Sequence, residues 1–516
     1  MYQWIVVTGG IFSFIAALGI GANDVANAYA TAVGSRALTM KQAVVLATIF
    51  EAGGAILMGS HVTKTIRKGI ADYECFEDDP GSLMYGCMWV CFSVGAWLFI
   101  ASKYEMPVST THSCVGGMIG MTIALKGPKC VNWYEKRDLF PYVGGVSGIV
   151  LSWVLSPLFS AMFSTILFGL VRQFILRSNN SFNRTSILFP IIVGSTVTLN
   201  SYYIIFKGAK GLGWDNTNME TATIWALGLG TLSAIIMTPI TPYLKKKVNY
   251  IFENNSITGK TIDIDNIESG DTVDVERDDI SDTSTISSNC GSKCMIQHIK
   301  DNLEVKLDDV IDSDNRVSEI HNSAEKFDVK TEEYFKYLQI FTAIFDSFSR
   351  GANDVANAIG PFAAIYMISR DNEVNKEQEM DPITAYSILT MGGIGIGFGL
   401  LLYGYKIMQA IGLKLCKITP SRGSCIELAS AVVVITGSRL EIPLSTTHCQ
   451  IGATMGVASL EDPTGCTGIN FSIVSKTIAG WVITLIVVGG TTALLTAQGA
   501  HSPEVGAHCI ITNSTL

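Results

Sequence analysis

One aspartate, set between asparagines and glycine, occurs twice in this chain within the same eight letters. Gly21-Ala22-Asn23-Asp24-Val25-Ala26-Asn27-Ala28 returns as Gly351-Ala352-Asn353-Asp354-Val355-Ala356-Asn357-Ala358, and both copies lie in apolar sequence. An ionised carboxylate at membrane depth is costly unless it faces a cavity, a partner or a bound cation. The neighbouring Asn side chains add carbonyl oxygens, giving an oxygen-only donor set suited to a hard monovalent cation. Asn23 and Asn27 are four apart and would share a face on continuous helix. Gly and Asn are poor helix formers, so Gly21 or Gly351 is expected to mark unwinding that frees backbone carbonyls. For one Asn, hydrogen bonding between helices would be explanation enough. Duplication of the whole octapeptide favours a site.

A second pair of segments follows in the same order. Glu105-Met106-Pro107-Val108-Ser109-Thr110-Thr111-His112 is matched by Glu441-Ile442-Pro443-Leu444-Ser445-Thr446-Thr447-His448. Pro followed by Ser and Thr reads as a helix start, where free N–H groups and a partial positive charge make an anion site. Two such starts, with the hydroxyls of Ser109, Thr110, Thr111, Ser445, Thr446 and Thr447, could converge on one tetrahedral oxyanion. Alone, either set of hydroxyls could simply cap its helix. A looser pair lies between: Glu51 before Ala52-Gly53-Gly54-Ala55, and Glu427 before Leu428-Ala429-Ser430-Ala431. Both glutamates fall mid-span, which points to a cation or gating role.

No duplicated motif contains Lys or Arg. A phosphate-like anion would be repelled by these carboxylates at low dielectric. Cations bound at the Asp/Asn motifs reverse that sign, and coupling of this kind is reciprocal, so each ion recruits the other. The same carboxylates offer selectivity. Phosphate still has a proton to donate to Asp and sulfate at neutral pH has none, so sulfate would leave buried acceptors unpaired.

The elements that must position these groups follow from composition. Of the 516 residues 48% are hydrophobic and 16% charged, and the mean hydropathy is +0.35, which excludes most soluble classes. The net charge of −9 is local: residues 245–335 hold 11 Lys and Arg against 21 Asp and Glu, and the other 425 residues hold 25 against 24. The result is a neutral apolar body with one acidic insert, and no basic stripe for nucleic acid. A span needs roughly 20 apolar residues. Candidates are 4–32, 42–60, 84–102, 142–171, 187–206 and 222–244, then 337–369, 384–405, 424–437 and 477–499. The stretches 107–125 and 443–460 read as re-entrant hairpins or short spans, giving 10 to 12 crossings in all. Pro157 is expected to break the long 142–171 stretch. The first apolar run lacks an n-region charge and recurs later, so it reads as a span and not a leader. The organisation is therefore a membrane half, 1–244, an insert, 245–335, and a second membrane half, 336–516. The insert is Asp-, Ser- and Asn-rich and is expected to be largely disordered, with Lys245-Lys246-Lys247 placing it in the cytoplasm. Two halves on one plan are a signature of secondary transporters.

Other signals are weaker. The Gly392–Gly399 run suits close helix packing better than a dinucleotide. The 12 Cys are scattered, many in apolar runs, and Cys290 and Cys294 have no second ligand pair for zinc. His112 and His448 could carry protons or bond locally. Asn179 and Asn183 open glycosylation sequons whose use depends on topology.

The paired octapeptides and paired Pro-x-Ser-Thr-Thr-His segments resemble the inorganic phosphate transporter (PiT) family, the sodium–phosphate symporters, across nearly everything except the insert. The resemblance implies an all-α polytopic membrane protein of about 12 transmembrane segments in two inverted repeats with two re-entrant helical hairpins. It implies uptake of phosphate with sodium as the co-transported ion, no further cofactor, often a homodimer, and by default the plasma membrane. Carried onto this sequence, sodium falls to Asn23, Asp24, Asn353 and Asp354, with Glu51 and Glu427 as the intramembrane glutamates needed for transport. Phosphate falls to Ser109, Thr110, Thr111, Ser445, Thr446 and Thr447, with Asp24, Asn27, Asp354 or Asn357 nearby. The second half departs from the first at Asp346 and Arg350, where Ala16 and Ile20 stand; the two charges either pair at i,i+4 or alter the cation site. Competing readings are a proton-coupled phosphate symporter, a related sulfate permease, and a membrane receptor that no longer transports. An intramembrane enzyme finds no support, since no H-E-x-x-H or unexplained Ser/His or Asp/Asp pairing is present.

Overall fold

The structure, a computed structural model, describes residues 2–60, 63, 65, 66, 69–138, 142–206, 217–257, 314–375, 380–440, 442–461 and 468–500. Helices dominate. In the first half they are α1 (Gln3–Ile20), α2 (Ala26–Gly34), α3 (Met40–Met58), α4 (Pro80–Lys103), α5 (Thr110–Lys126), α6 (Gly145–Val171) and α7 (Ser181–Ile205). They continue as α8 (Met219–Ile257), α9 (Asn315–Ser323), α10 (Val329–Asp371), α11 (Pro382–Gly412), α12 (Pro420–Arg439), α13 (Thr446–Glu461) and α14 (Phe471–Ala500). Two short strands, β1 (Glu135–Lys136) and β2 (Val143–Gly144), form a small antiparallel pair. Cys75 and Cys130 are joined by a disulfide beside them, a link across 55 residues that no spacing in the sequence announced.

Among the described residues seven stretches are long and apolar enough to cross a membrane: Gln3–Gly34, Met40–Met58, Pro80–Lys103, Gly145–Leu176, Met219–Asn254, Pro382–Leu402 and Phe471–Ala500. The expected spans at 337–369 and 424–437 are helical, as α10 and α12, but fall short in hydropathy, and 187–206 is helical as α7. The reason for α10 and α12 is what they face. They carry buried Asp346, Arg350, Asp354 and Glu427, so their lining is other protein and not lipid.

The halves interlock. Helix α1 packs on α4 of its own half and on α10 and α11 of the other, and α3 lies against α10 and α11. The 17-residue α5 packs on α14, and the 16-residue α13 on α6. At 1.5 Å per residue these two helices are only about 25 Å long, and almost every residue in their first three turns is buried.

Several expectations need correction. Neither octapeptide is unwound. Gly21–Val25 forms a π-helical turn between α1 and α2, and Gly351 lies inside the unbroken 43-residue α10. The glycines serve close approach instead. A Cβ at Gly21 would lie 1.9 Å from the Ile396 carbonyl oxygen, and one at Gly351 would lie 2.1 Å from that of Glu51. Pro157 does not break α6, which continues through it. At the ends of the acidic insert, 245–335, α8 runs to Ile257 and the chain is helical again from Asn315. Cys290, Cys294 and the rest of its centre lie outside the described residues.

Charge pairing explains the ordered far end. Glu325 accepts from Arg172 Nε at 2.7 Å and Arg177 Nε at 2.9 Å, and its own N–H donates to Glu461 Oε2 at 2.9 Å. Arg422 donates to Glu461 Oε1 at 2.7 Å and to the Glu325 carbonyl at 2.8 Å, with its guanidinium over the Phe327 ring. This cluster welds the ends of α6 and α13 to the start of α12, at the opposite end of α6 from the disulfide. Burial alone would raise the Glu325 carboxyl, but the hydrogen bonds from Arg177 and Arg172 outweigh it and hold it below the ordinary glutamate value.

Two outcomes are expected. Gly351→Ala should lower thermal stability in detergent by about 1–3 kcal/mol, because the new methyl meets backbone and not a movable side chain. A lowered carboxyl value means the Glu325 tie stabilises the fold above the ordinary glutamate range and is lost as pH falls through the lowered value. Hydrogen exchange of the 324–328 amides should therefore rise at neutral pH in Glu325→Gln, and in the wild-type chain only in acid.

Candidate functional site

Both Pro-x-Ser-Thr-Thr segments begin helices, and in the same way. Ser109 Oγ accepts from the His112 N–H at 3.3 Å, and Ser445 Oγ accepts from the His448 N–H at 3.4 Å. Each serine thus caps its own helix, leaving the threonines to face inward. They face each other. Thr111 Oγ1 donates to the Leu444 carbonyl at 2.8 Å, and Thr447 Oγ1 lies 3.5 Å from the Val108 carbonyl, the equivalent oxygen in the other segment. The two helix starts are interleaved through a reciprocal contact.

Between them lies Asp24. Its Oδ2 accepts from Thr110 at 2.7 Å, and its Oδ1 accepts from Thr447 at 2.6 Å and lies 3.2 Å from the Thr446 hydroxyl. One carboxylate thus gathers hydroxyls from both halves. Thr446 is shared with Asp354 Oδ2, at 3.0 Å. The π-helical turn that holds Asp24 widens the helix by one residue at this point, a feature common at functional sites and unsignalled by the sequence. Asp24 and Asp354 are both effectively closed to solvent.

The asparagines divide their work. Asn23 binds the approach to the first segment, donating to Met106 O at 2.9 Å and Ser102 Oγ at 3.1 Å and accepting from the Val108 N–H at 3.0 Å. Asn353 donates to Leu444 O at 2.9 Å and to Asp354 Oδ1 at 3.0 Å. Asn357 donates across to Thr110 at 3.2 Å and Thr111 at 3.3 Å. The carbonyl oxygens of Asn353 and Asn357 have no hydrogen-bond partner among the described residues. They are oriented oxygen donors beside a carboxylate, as a cation site requires. The side chain of Asn27 lies outside the described residues; its backbone belongs to α2.

The two glutamates are not equivalent. Glu427 is satisfied on both oxygens, by Thr31 at 2.6 Å, Gln339 at 3.2 Å and Thr342 at 2.6 Å. Glu51 is equally buried, yet neither of its oxygens has a hydrogen-bond partner among the described residues. Gln339, Thr342 and Thr31 correspond to Gly9, Phe12 and Pro361, none of which carries a side-chain donor. Glu51 is therefore the glutamate of the pair whose oxygens receive no hydrogen bond among the described residues.

Asp346 and Arg350 do pair, at 2.8 Å and fully buried. His112 and His448 meet with ring centroids 4.8 Å apart, packed on Trp153 and Trp481 respectively. By hydrogen-bond geometry, His112 Nδ1 and both ring nitrogens of His448 lack partners among the described residues.

The arrangement can bind cations on carboxylate and amide oxygens, and a tetrahedral anion on hydroxyls and helix-start amides, within one buried cluster. Known proteins similar to this chain have phosphate transport in their names. The phosphate transporter family matches residues 20–492. A phosphate-repressible phosphate permease of Neurospora crassa is 30% identical, with 98% of this chain and 99% of the relative covered. Sodium-dependent phosphate transporter 1 of Mus musculus is 26% identical over 96% of this chain and 95% of its own. A solved structure of a sodium-dependent phosphate transporter superposes with a TM-score of 0.72 at 28% identity, covering 96% of this chain and 98% of that one.

If the Asp24 carboxylate organises both helix starts, Thr447→Val should cost about 1.5–3 kcal/mol of stability without substrate, the range for a hydrogen bond to a charged group. Thr447→Ser should recover most of it. Melting curves of the purified variants check this.

Proposed function

We propose, for a chain that belongs to the phosphate transporter family, that it imports inorganic phosphate by symport with sodium. Phosphate is held between the two helix starts by Ser109, Thr110, Thr111, Ser445, Thr446 and Thr447, with Asn27, Asn357, Asp24 and Asp354 beside it. Sodium is held by Asn23, Asp24, Asn353 and Asp354, with Glu51 taking a cation and Glu427 completing the set from its hydrogen-bonded position. The observation that carries this reading is the Asp24 carboxylate gripped by hydroxyls of both halves. An anion can displace those hydroxyls only if cations first neutralise the carboxylates, and this couples the two ions.

The reading includes an architecture and a topology. The interleaved segments 107–125 and 443–460 are re-entrant hairpins, and the halves are inverted repeats with about 12 crossings. Transport proceeds by alternating access around the buried cluster. The disulfide at one end of α6 suits an oxidising exterior. The opposite end, with Lys245 and the acidic insert, then faces the cytoplasm, which keeps Asn179 and Asn183 from glycosylation. The plasma membrane and a homodimer complete the proposal.

The test is labelled-phosphate uptake into proteoliposomes, comparing an inward sodium gradient with a proton gradient in choline. The expected result is uptake that needs sodium, falls by at least about 100-fold in Asp24→Asn or Asp354→Asn, and resists competition by sulfate. Uptake driven equally by protons would replace the coupling ion. Efficient competition by sulfate would favour the sulfate-permease reading, and no uptake from folded protein the receptor reading.

A further inference from the structure

The repeat supplies an internal control for every residue near the site. Aligned on the octapeptides, Asp346 and Arg350 stand where the first half has Ala16 and Ile20. Aligned on the glutamates, Ser430 stands opposite Gly54, and aligned on the Pro-x-Ser-Thr-Thr segments, Gln450 stands opposite Cys114. Four positions on three helices have thus diverged together, from small or apolar in one half to polar in the other. In the structure the four polar side chains are bonded to one another. Arg350 Nε donates to Asp346 Oδ2 at 2.8 Å, and its Nη2 donates to Ser430 Oγ at 2.9 Å and Gln450 Oε1 at 2.7 Å. Its Nη1 reaches the Thr446 carbonyl at 3.3 Å. Ala16, Ile20 and Cys114 are instead part of the buried apolar core.

A buried ion pair rarely outweighs its desolvation as a source of stability, and an apolar set of similar size often does better. The quartet is therefore explained by what it holds: Thr446, the first residue of α13, whose hydroxyl lies on Asp24 and Asp354. A planar guanidinium with fixed donors suits this task, because it ties α10, α12 and α13 together in one geometry.

We propose that Arg350 is a positioning residue for the transport site, pinning the start of α13 to α10 and α12. The Thr446 and Thr447 hydroxyls are thereby presented to the anion in a fixed place. The start of α5 has no such guanidinium tie, since Ala16, Ile20, Gly54 and Cys114 stand at the corresponding positions, and its approach is bracketed instead by Asn23. The two helix starts are thus inequivalent, one pinned by the Arg350 guanidinium and the other by an amide. This rests on the phosphate-transport reading above.

The test uses the full chain with the first half's residues transplanted: Asp346→Ala, Arg350→Ile and Gln450→Cys, with Ser430→Ala in place of glycine to preserve helix propensity. Arg350→Lys retains the charge without the fork, and Gln450→Cys alone removes one acceptor should the combined variant not fold. The expected result is a KM for phosphate raised about tenfold in the combined variant and in Arg350→Lys, with the maximal rate little changed, the scale of one hydrogen bond to a charged group. Gln450→Cys should raise it by a smaller factor. Hydrogen exchange of the 446–450 amides, measured without phosphate, should rise in each variant, while that of 110–114 stays as in the wild type. A folded variant with wild-type KM, or full rescue by lysine, overturns the proposal. If the wild-type chain takes up no phosphate, the transport reading falls by itself. The pin is then judged on exchange alone, where unchanged protection at 446–450 overturns it.

Discussion

The Asp24 carboxylate is the constraint around which the rest of this protein is arranged. It is buried among helices and accepts hydroxyls from Thr110 in one half and from Thr447 in the other. For that to happen, two short helices must begin at the same point from opposite halves of the chain. The serine caps, the Asn23 bracket on the first approach and the reciprocal Thr111 and Thr447 contacts with Leu444 and Val108 all fix those starting points. Close helix packing through Gly21 and Gly351 then brings the octapeptides against the neighbouring backbone. A polar interior this extensive is tolerable where its groups bond one another, as the carboxylates of Asp24 and Glu427 do with the surrounding hydroxyls. Among the described atoms without a partner are the Glu51 oxygens, the carbonyls of Asn353 and Asn357, Asp346 Oδ1, Gln450 Nε2 and ring nitrogens of His112 and His448.

Sequence symmetry does not carry over into equal roles. The octapeptides are identical, yet one sits on a π-helical turn and the other in straight helix. The glutamates match, yet Glu427 is fully bonded and Glu51 is not. Arg350 has no counterpart at Ile20. Duplication supplies two similar binding surfaces, and the substitutions around them make one half differ from the other in charge and in firmness.

How much of this could be read from the sequence depends on the kind of signal. Repeated octapeptides and Ser/Thr helix starts are local patterns with a chemical meaning, and Asp24, Asp354, Thr110, Thr111, Thr446 and Thr447 do come together. The reading of Gly21 as a point of unwinding that frees carbonyls failed because the partner of a glycine, here the Ile396 carbonyl, is invisible without the fold. Hydropathy placed α10 and α12 correctly but undervalued them, since a helix surrounded by protein needs no lipid-like surface. Net charge marked the insert and blurred its edges: Glu325 counts as acidic residue in a tally, but in the fold it is paired with Arg172 and Arg177. The Cys75–Cys130 link and the orphaned state of Glu51 depend on distant partners and had no local trace.

The reach of the central contact also bears on how the chain is made. Thr447 follows Asp24 by 423 residues, so at ribosomal rates of roughly 5–20 residues per second the carboxylate waits on the order of 20–85 s for its partner. Through that interval α1 also lacks α10 and α11, on which it packs. The nascent first half is therefore a membrane-embedded intermediate with an unshielded acidic group and uncovered small-residue faces. Biogenesis, more than the stability of the finished protein, is where such a chain would depend on the insertion machinery to keep its early helices apart from lipid and from each other.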